Sequence, residues 1–114
     1  MSNLLQKIEE HKKLFPLADL SGQLLKLEEE LNEVNGAETL ENKIEELADC
    51  IICCIGIYRF APQTAHFIIK SILQQNDDYV PEIYDAVENK WKINLGRKWE
   101  YKNGRYHHIE EFNK

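Results

Sequence analysis

Glu46-Leu47-Ala48-Asp49-Cys50-Ile51-Ile52-Cys53-Cys54-Ile55-Gly56-Ile57-Tyr58-Arg59-Phe60 is the stretch on which the fold of this chain turns. From Cys50 onward its apolar residues cover nearly the whole helical circle, and a helix that is apolar all round is enclosed by other elements. The apolar run Cys50 to Tyr58 is far shorter than the roughly 20 residues a membrane span needs. It therefore reads as the central helix of a globular core. Glu46 and Asp49 lie one turn earlier, on the side of Cys53 and Gly56, so two carboxylates enter the edge of that core. An ionised carboxylate buried without a partner costs on the order of several kcal/mol. A cation must accompany this pair, either a metal ion or a Lys or Arg side chain.

Helical signals extend in both directions from this segment. Thr39 is placed to cap its start, and Pro62 lies just beyond its end. Upstream, Leu20, Leu24, Leu27, Leu31 and Val34 recur at three- and four-residue spacing, which predicts a helix from about Ala18 to Asn35 with Gly36 as its terminator. A first helix is expected from about Asn3 to Leu14, stopped by Pro16. Downstream, Thr64 is expected to cap a fourth helix ending near Gln75, and Asn76-Asp77-Asp78 reads as a loop. Pro81 suits the first turn of a fifth helix reaching about Leu95. In the tail, Asn103-Gly104 stands between aromatic-rich arms and signals a two-residue hairpin turn. The expected fold is all-α, a bundle of four to five helices over a single domain, 1–114, with a short C-terminal β-hairpin or an ordered tail.

A content of 43% hydrophobic and 30% charged residues is that of an ordinary soluble protein. The amphipathic N-terminus lacks a cleavage-site pattern, and the protein is expected to be cytoplasmic. Cys50, Cys53 and Cys54 make an odd count on one helix, which is no disulfide framework. Cys50-x-x-Cys53 has no second Cys pair and no nearby His for zinc, so buried thiols are the reading. The net charge of −6 is uneven: residues 1–49 hold 5 basic and 12 acidic side chains, and residues 50–114 hold 9 and 8. Such an acidic chain is a poor binder of nucleic acid. One end seeks cations and the other seeks anions, as a small phosphorylated ligand carrying a divalent metal would require.

Two acidic motifs make that specific. On the second helix, Glu29-Glu30-Leu31-Asn32-Glu33 places Glu30 beside the apolar stripe and Glu33 next to it, whereas Glu29 falls on the exposed face. On the third helix, Glu46 and Asp49 form a second pair at the same three-residue spacing, and residues i and i+3 share a helix face. If the pairs meet, four carboxylates occupy one small volume, an oxygen-only donor set of the kind that Mg²⁺ or Mn²⁺ prefers. Di-iron bundles use Glu-x-x-His pairs. The residues three before His11, His66, His107 and His108 are Ile8, Gln63, Gly104 and Arg105, so no such pair exists. A third element, Lys90, Asn94 and Arg97, recurs at i, i+4 and i+7, and Lys and Arg are natural phosphate partners. The aromatics Trp91, Trp99, Tyr101 and Tyr106 have the chemistry to stack on a base or to pack a small core.

Glu-Glu-x-x-Glu followed by Glu-x-x-Asp, ahead of a long apolar helix and a Lys/Asn/Arg helix, resembles the MazG-type all-α nucleoside triphosphate pyrophosphohydrolases over roughly residues 18 to 108. The resemblance implies Mg²⁺-dependent hydrolysis of an NTP or dNTP to the monophosphate and pyrophosphate by a homodimer or homotetramer. It implies that Glu30, Glu33, Glu46 and Asp49 ligate the metal and that Lys90, Asn94 and Arg97 contact phosphates. Glu33 and Glu46 are the candidates to activate the attacking water. Two other readings stand beside this one: a non-catalytic helical-bundle interaction or regulatory protein, and a hydrolase of a phosphoribosyl-ATP-type substrate.

Overall fold

The central stretch does form the hub of the molecule. The structure, a computed structural model, describes residues 3–109. Helix α1 spans Leu4–Leu14, α2 Leu20–Gly36, α3 Leu40–Tyr58, α4 Pro62–Gln75 and α5 Val80–Gly96. Strands β1, Lys98–Lys102, and β2, Arg105–Ile109, form an antiparallel hairpin. The expected all-α bundle with a C-terminal hairpin is what the chain adopts. Helix α3 packs against α1, α2, α4 and α5. Ile51, Ile55, Ile57, Cys50 and Cys54 on it are fully buried.

Local chemistry sets most of the boundaries. The Thr39 hydroxyl accepts the Asn42 N–H at 3.1 Å, capping α3 as expected. Asp19 caps α2 in the same way, accepting the Gly22 N–H at 2.7 Å, so that helix begins two residues later than its apolar spacing suggests. Three expectations are corrected. Pro62 does not merely follow α3 but opens α4, because its fixed φ and missing N–H suit a first turn, and Thr64 therefore caps nothing. Gly36 is the last residue of α2 without a left-handed conformation, and the chain leaves through extended Ala37. Asn76-Asp77-Asp78 is not a plain loop, since Asp77–Tyr79 forms a 3₁₀ turn leading into α5.

The hairpin turn uses Asn103 and Gly104, both at positive φ (56° and 76°), as the Asn-Gly signal requires. The hairpin is tied back onto the helices. Tyr106 Oη accepts the Leu17 N–H at 2.9 Å, Trp99 Nε1 donates to the Asn94 carbonyl at 3.1 Å, and the Phe15 ring lies 5.0 Å from the rings of both Trp99 and Tyr106. Helix α1 is fixed by polar anchors as well as apolar ones. Buried Lys7 pairs with Glu88 of α5 at 2.9 Å, and Trp91 Nε1 donates to Glu10 at 3.0 Å. Among the described residues no helix is long and apolar enough to cross a membrane.

Candidate metal centre

The short connection 37–39 folds α3 back along α2, so the second half of α2 faces the first half of α3. That places the two acidic motifs together. One carboxylate oxygen from each of Glu30, Glu33 and Glu46 lies within 4.8 Å of the others. Glu30 and Glu46 are half-buried and Glu33 is exposed. Glu30 Oε2 and Glu46 Oε2 are out of contact with solvent and have no hydrogen-bond partner among the described residues. A buried oxygen in that condition is costly, and here two occur in one cluster.

The electrostatics follow from this crowding. Burial, reinforced by the negative charges of Asp49, Glu33 and Glu46, pushes the Glu30 carboxyl up to about 8. Burial and the adjoining Glu33 also push Glu46 up from the ordinary carboxylate range, against a smaller opposing pull from Lys90. Asp49 is raised by burial despite the Lys90 ammonium beside it. Without a cation Glu30 keeps its proton to a higher pH than an ordinary carboxyl; a hard divalent ion would favour the ionised, acceptor-only form that such an ion needs.

Asp49, the fourth predicted ligand, stands at the margin and is engaged elsewhere. Lys90 Nζ lies 3.1 Å from its Oδ1 and 3.2 Å from its Oδ2, and 3.2 Å from Glu45 Oε2. Burial alone would lower the Lys90 pKa, but the Asp49 and Glu45 carboxylates more than reverse that. Glu45 was missed in the sequence. Its signal was present, because it stands four residues before Asp49 on the same helix face. Glu29 points away from the cluster to Arg105 of the hairpin at 2.7 Å, as its helical face indicated.

The Lys90, Asn94, Arg97 face does not run on as one helical stripe. Arg97 lies past the end of α5 in extended backbone, and its Nη1 donates to Asn94 Oδ1 at 3.3 Å. Asn94 lines a separate cavity that includes Gln23 and Lys26 of α2. Gln23, Lys26, Glu30 and Glu33 follow one another at three- and four-residue steps on that helix, the first two in the cavity and the last two in the cluster. Phe15, Trp91, Trp99 and Tyr106 provide its aromatic walls. Lys26 stands 5.9 Å from the Trp99 ring centre, a contact that no spacing in the sequence announces.

The cysteines are the core residues they were expected to be. All three are free and buried. Burial pushes the Cys50 and Cys54 thiols up to about 12 and Cys53 higher still, as for thiols packed in an apolar core. Comparison with family models, curated proteins and solved structures finds no match to the chain.

Proposed function

We propose that this protein is a MazG-like, Mg²⁺-dependent nucleoside triphosphate pyrophosphohydrolase, with Mn²⁺ able to replace Mg²⁺. The observation that carries this reading is one buried oxygen on each of Glu30 of α2 and Glu46 of α3, without a hydrogen-bond partner among the described residues, in residues that cluster with Glu33. A solvated acidic surface would not leave them so. The donor set is all oxygen and carboxylate, which suits a hard ion and offers nothing to a soft one.

Glu30, Glu33 and Glu46 would hold the metal, with Asp49 able to join them only by giving up Lys90. When bound, it would draw the triphosphate to an acidic face and neutralise charge on the transferring phosphoryl oxygens. Glu33, the exposed member, has solvent access and is the group to take a proton from the attacking water, with Glu46 as the other candidate. Water then adds across the α–β anhydride bond, giving the monophosphate and pyrophosphate. Lys90, Asn94 and Arg97 would serve the phosphates, Lys90 from beside Asp49. Exposed Leu24, Leu25 and Leu31 on α2 give apolar area for assembly into a homodimer or homotetramer. The alternative of a silent interaction protein gives no reason for two uncompensated oxygens.

The test is pyrophosphate release from a panel of NTPs and dNTPs with Mg²⁺, with EDTA, and with Glu46→Gln. Metal-dependent release that is lost in the variant is the expected result. No release from any nucleotide, with Mg²⁺ also leaving the melting temperature unmoved, overturns the reading.

A further inference from the structure

Asp49 stands beside the carboxylate cluster but is held by a cation of the chain itself. The Lys90 ammonium lies 3.1 Å from Asp49 Oδ1, 3.2 Å from Asp49 Oδ2 and 3.2 Å from Glu45 Oε2. An ammonium has three N–H donors, and three oxygens surround this one. The Lys90 side chain is 26% exposed and that of Asp49 31%, whereas Glu45 is 54% exposed. Glu45 and Asp49 are four residues apart on one face of α3, so Lys90 bridges an inner carboxylate and an outer one. Its backbone is held in place, because Val87 and Trp91 of the same helix are buried and α5 packs on α3. Any change of partner is therefore a movement of the side chain. Asp49 is also near the cluster: of the neighbouring charges, its own acts most strongly on Glu30, ahead of Glu33 and Glu46. Yet it is not among the three residues whose oxygens lie within 4.8 Å of one another.

We infer that Lys90 is a tethered counter-ion that competes with the divalent cation for Asp49: in the metal-free chain it keeps Asp49 out of the ligand set, and when the ion binds, Asp49 joins the three glutamates while Lys90 stays on Glu45. Lys90 and Glu45 are thus positioning residues that govern the entry of the fourth ligand. This rests on the metal reading above and adds to it how the site is regulated. Coordination supports the exchange. Mg²⁺ takes six oxygens in a near-octahedral set, so Glu30, Glu33 and Glu46 leave room for a further carboxylate. Charge supports it as well. Asp49 has a cation beside it in both forms, an ammonium in one and the divalent ion in the other, and is at no stage a part-buried charge without a partner. Glu45 lowers the cost of release, because the ammonium passes from two carboxylates to one and not to none. Two cations cannot both use the oxygens of Asp49, so the affinity for the ion is reduced by the fraction of chains in which Lys90 holds them.

The test reads metal binding without any nucleotide. Mn²⁺ is titrated into the full chain and the free ion is followed by electron paramagnetic resonance. Lys90→Met, which keeps the stem and removes the charge, should bind Mn²⁺ about tenfold tighter, the gain expected if about a tenth of the chains have Asp49 free. Lys90→Arg, which keeps the contact, should return to the wild-type affinity. In an Asp49→Asn background Lys90→Met should bring no gain, because the competition is for Asp49. Glu45→Gln should weaken Mn²⁺ binding in the wild type and leave it unchanged in Lys90→Met, because Glu45 acts through Lys90. A spectroscopic measurement on the wild type needs no variant: as Mg²⁺ is added, the Asp49 carboxyl ¹³C and Lys90 ¹⁵Nζ resonances should shift together with the carboxyl signals of Glu30, Glu33 and Glu46. Unchanged affinity in Lys90→Met overturns the exchange, as does an equal gain with and without Asp49. Asp49 and Lys90 resonances that stay fixed while the three glutamates respond also overturn it, and leave a centre of three carboxylates standing. No Mn²⁺ bound and no carboxyl shift overturns the metal reading and the exchange together. Exchange without pyrophosphate release from any triphosphate overturns the hydrolase reading alone.

Discussion

Lys90 of α5 divides its ammonium between Asp49, at 3.1 Å, and Glu45, at 3.2 Å, and so supplies positive charge at one edge of the acidic cluster. It occupies the oxygens of Asp49 while Glu30 and Glu46 each keep one unpartnered oxygen. Removing it leaves Asp49 half-buried and uncompensated. Lys90→Met is therefore expected to lower stability by about 1–2 kcal/mol, a value between those of exposed and buried pairs. Mg²⁺ should recover part of the loss. Urea unfolding with and without Mg²⁺ measures both effects, and an unchanged midpoint would remove Lys90 from this role.

Glu46→Gln should act in opposite directions with and without metal. The amide relieves crowding against Glu33 and Asp49, so the metal-free protein should melt no lower than the wild type, with a gain of about 1 kcal/mol. The rise in melting temperature expected of the wild type with Mg²⁺ should be absent from the variant, since a ligand that binds the native state stabilises it. Calorimetry on both proteins in EDTA and in Mg²⁺ decides this. A variant that still responds fully to Mg²⁺ would exclude Glu46 from the metal set.

The pH dependence has a definite sign. Glu30 is raised to about 8 from an ordinary 4.5, so between these values the folded chain holds a proton that the unfolded chain has released. Stability from this group is complete at low pH and is lost as pH rises through 8. Glu46 and Asp49, also raised, act in the same direction. His11 opposes them at lower pH: its value falls from 6.5 to about 3, so its contribution grows as pH rises toward 6.5 and is constant beyond. The clean window is pH 6.5 to 8. There the metal-free protein should lose about 1 kcal/mol, after allowance for solvent screening. Saturating Mg²⁺ should flatten the profile. Denaturant midpoints at half-unit pH steps test it, and a rising profile in EDTA would contradict the crowding of these carboxylates.

Gly56→Ala inserts a methyl group against the Gln23 and His11 side chains, 2.7 Å from His11 Nε2. Both are pressed from below by a fixed helix, so the change should cost about 1–3 kcal/mol and alter the environment of the cavity. Thermal unfolding and the His11 proton resonances would register it. Gly96→Ala, where nothing lies within 4 Å, is the matched control and should stabilise slightly or leave stability unchanged.

The fold was legible where periodicity and caps coincide. The apolar circle from Cys50, the Leu20 to Val34 stripe and Thr39 point to the helices that the structure contains, and of the hairpin and ordered tail that Asn103-Gly104 left open the structure adopts the hairpin. Glu30, Glu33 and Glu46 could be brought together on paper because a short connection forces adjacent helices antiparallel. What was not legible depends on contacts distant in sequence. Arg97 leaves the helix that its spacing extends. Lys90 turns to Asp49, 41 residues away. Gln23, Lys26 and His11 gain meaning only when α1 and the hairpin close over α2, and no spacing within a single helix encodes that.

Tyr106 meets Leu17 across 89 residues of chain, the longest loop that any of these side-chain bonds closes. Glu30, Glu33 and Glu46 come from α2 and α3 alone, neighbours joined by three residues, so they meet by closing a short loop. The aromatic wall waits for the last strand and for the closure of nearly the whole chain, the slower kind of event because loop entropy is spent before the contact forms. The two parts thus differ in the loop each must close, a short one for the carboxylates and a long one for the aromatic wall.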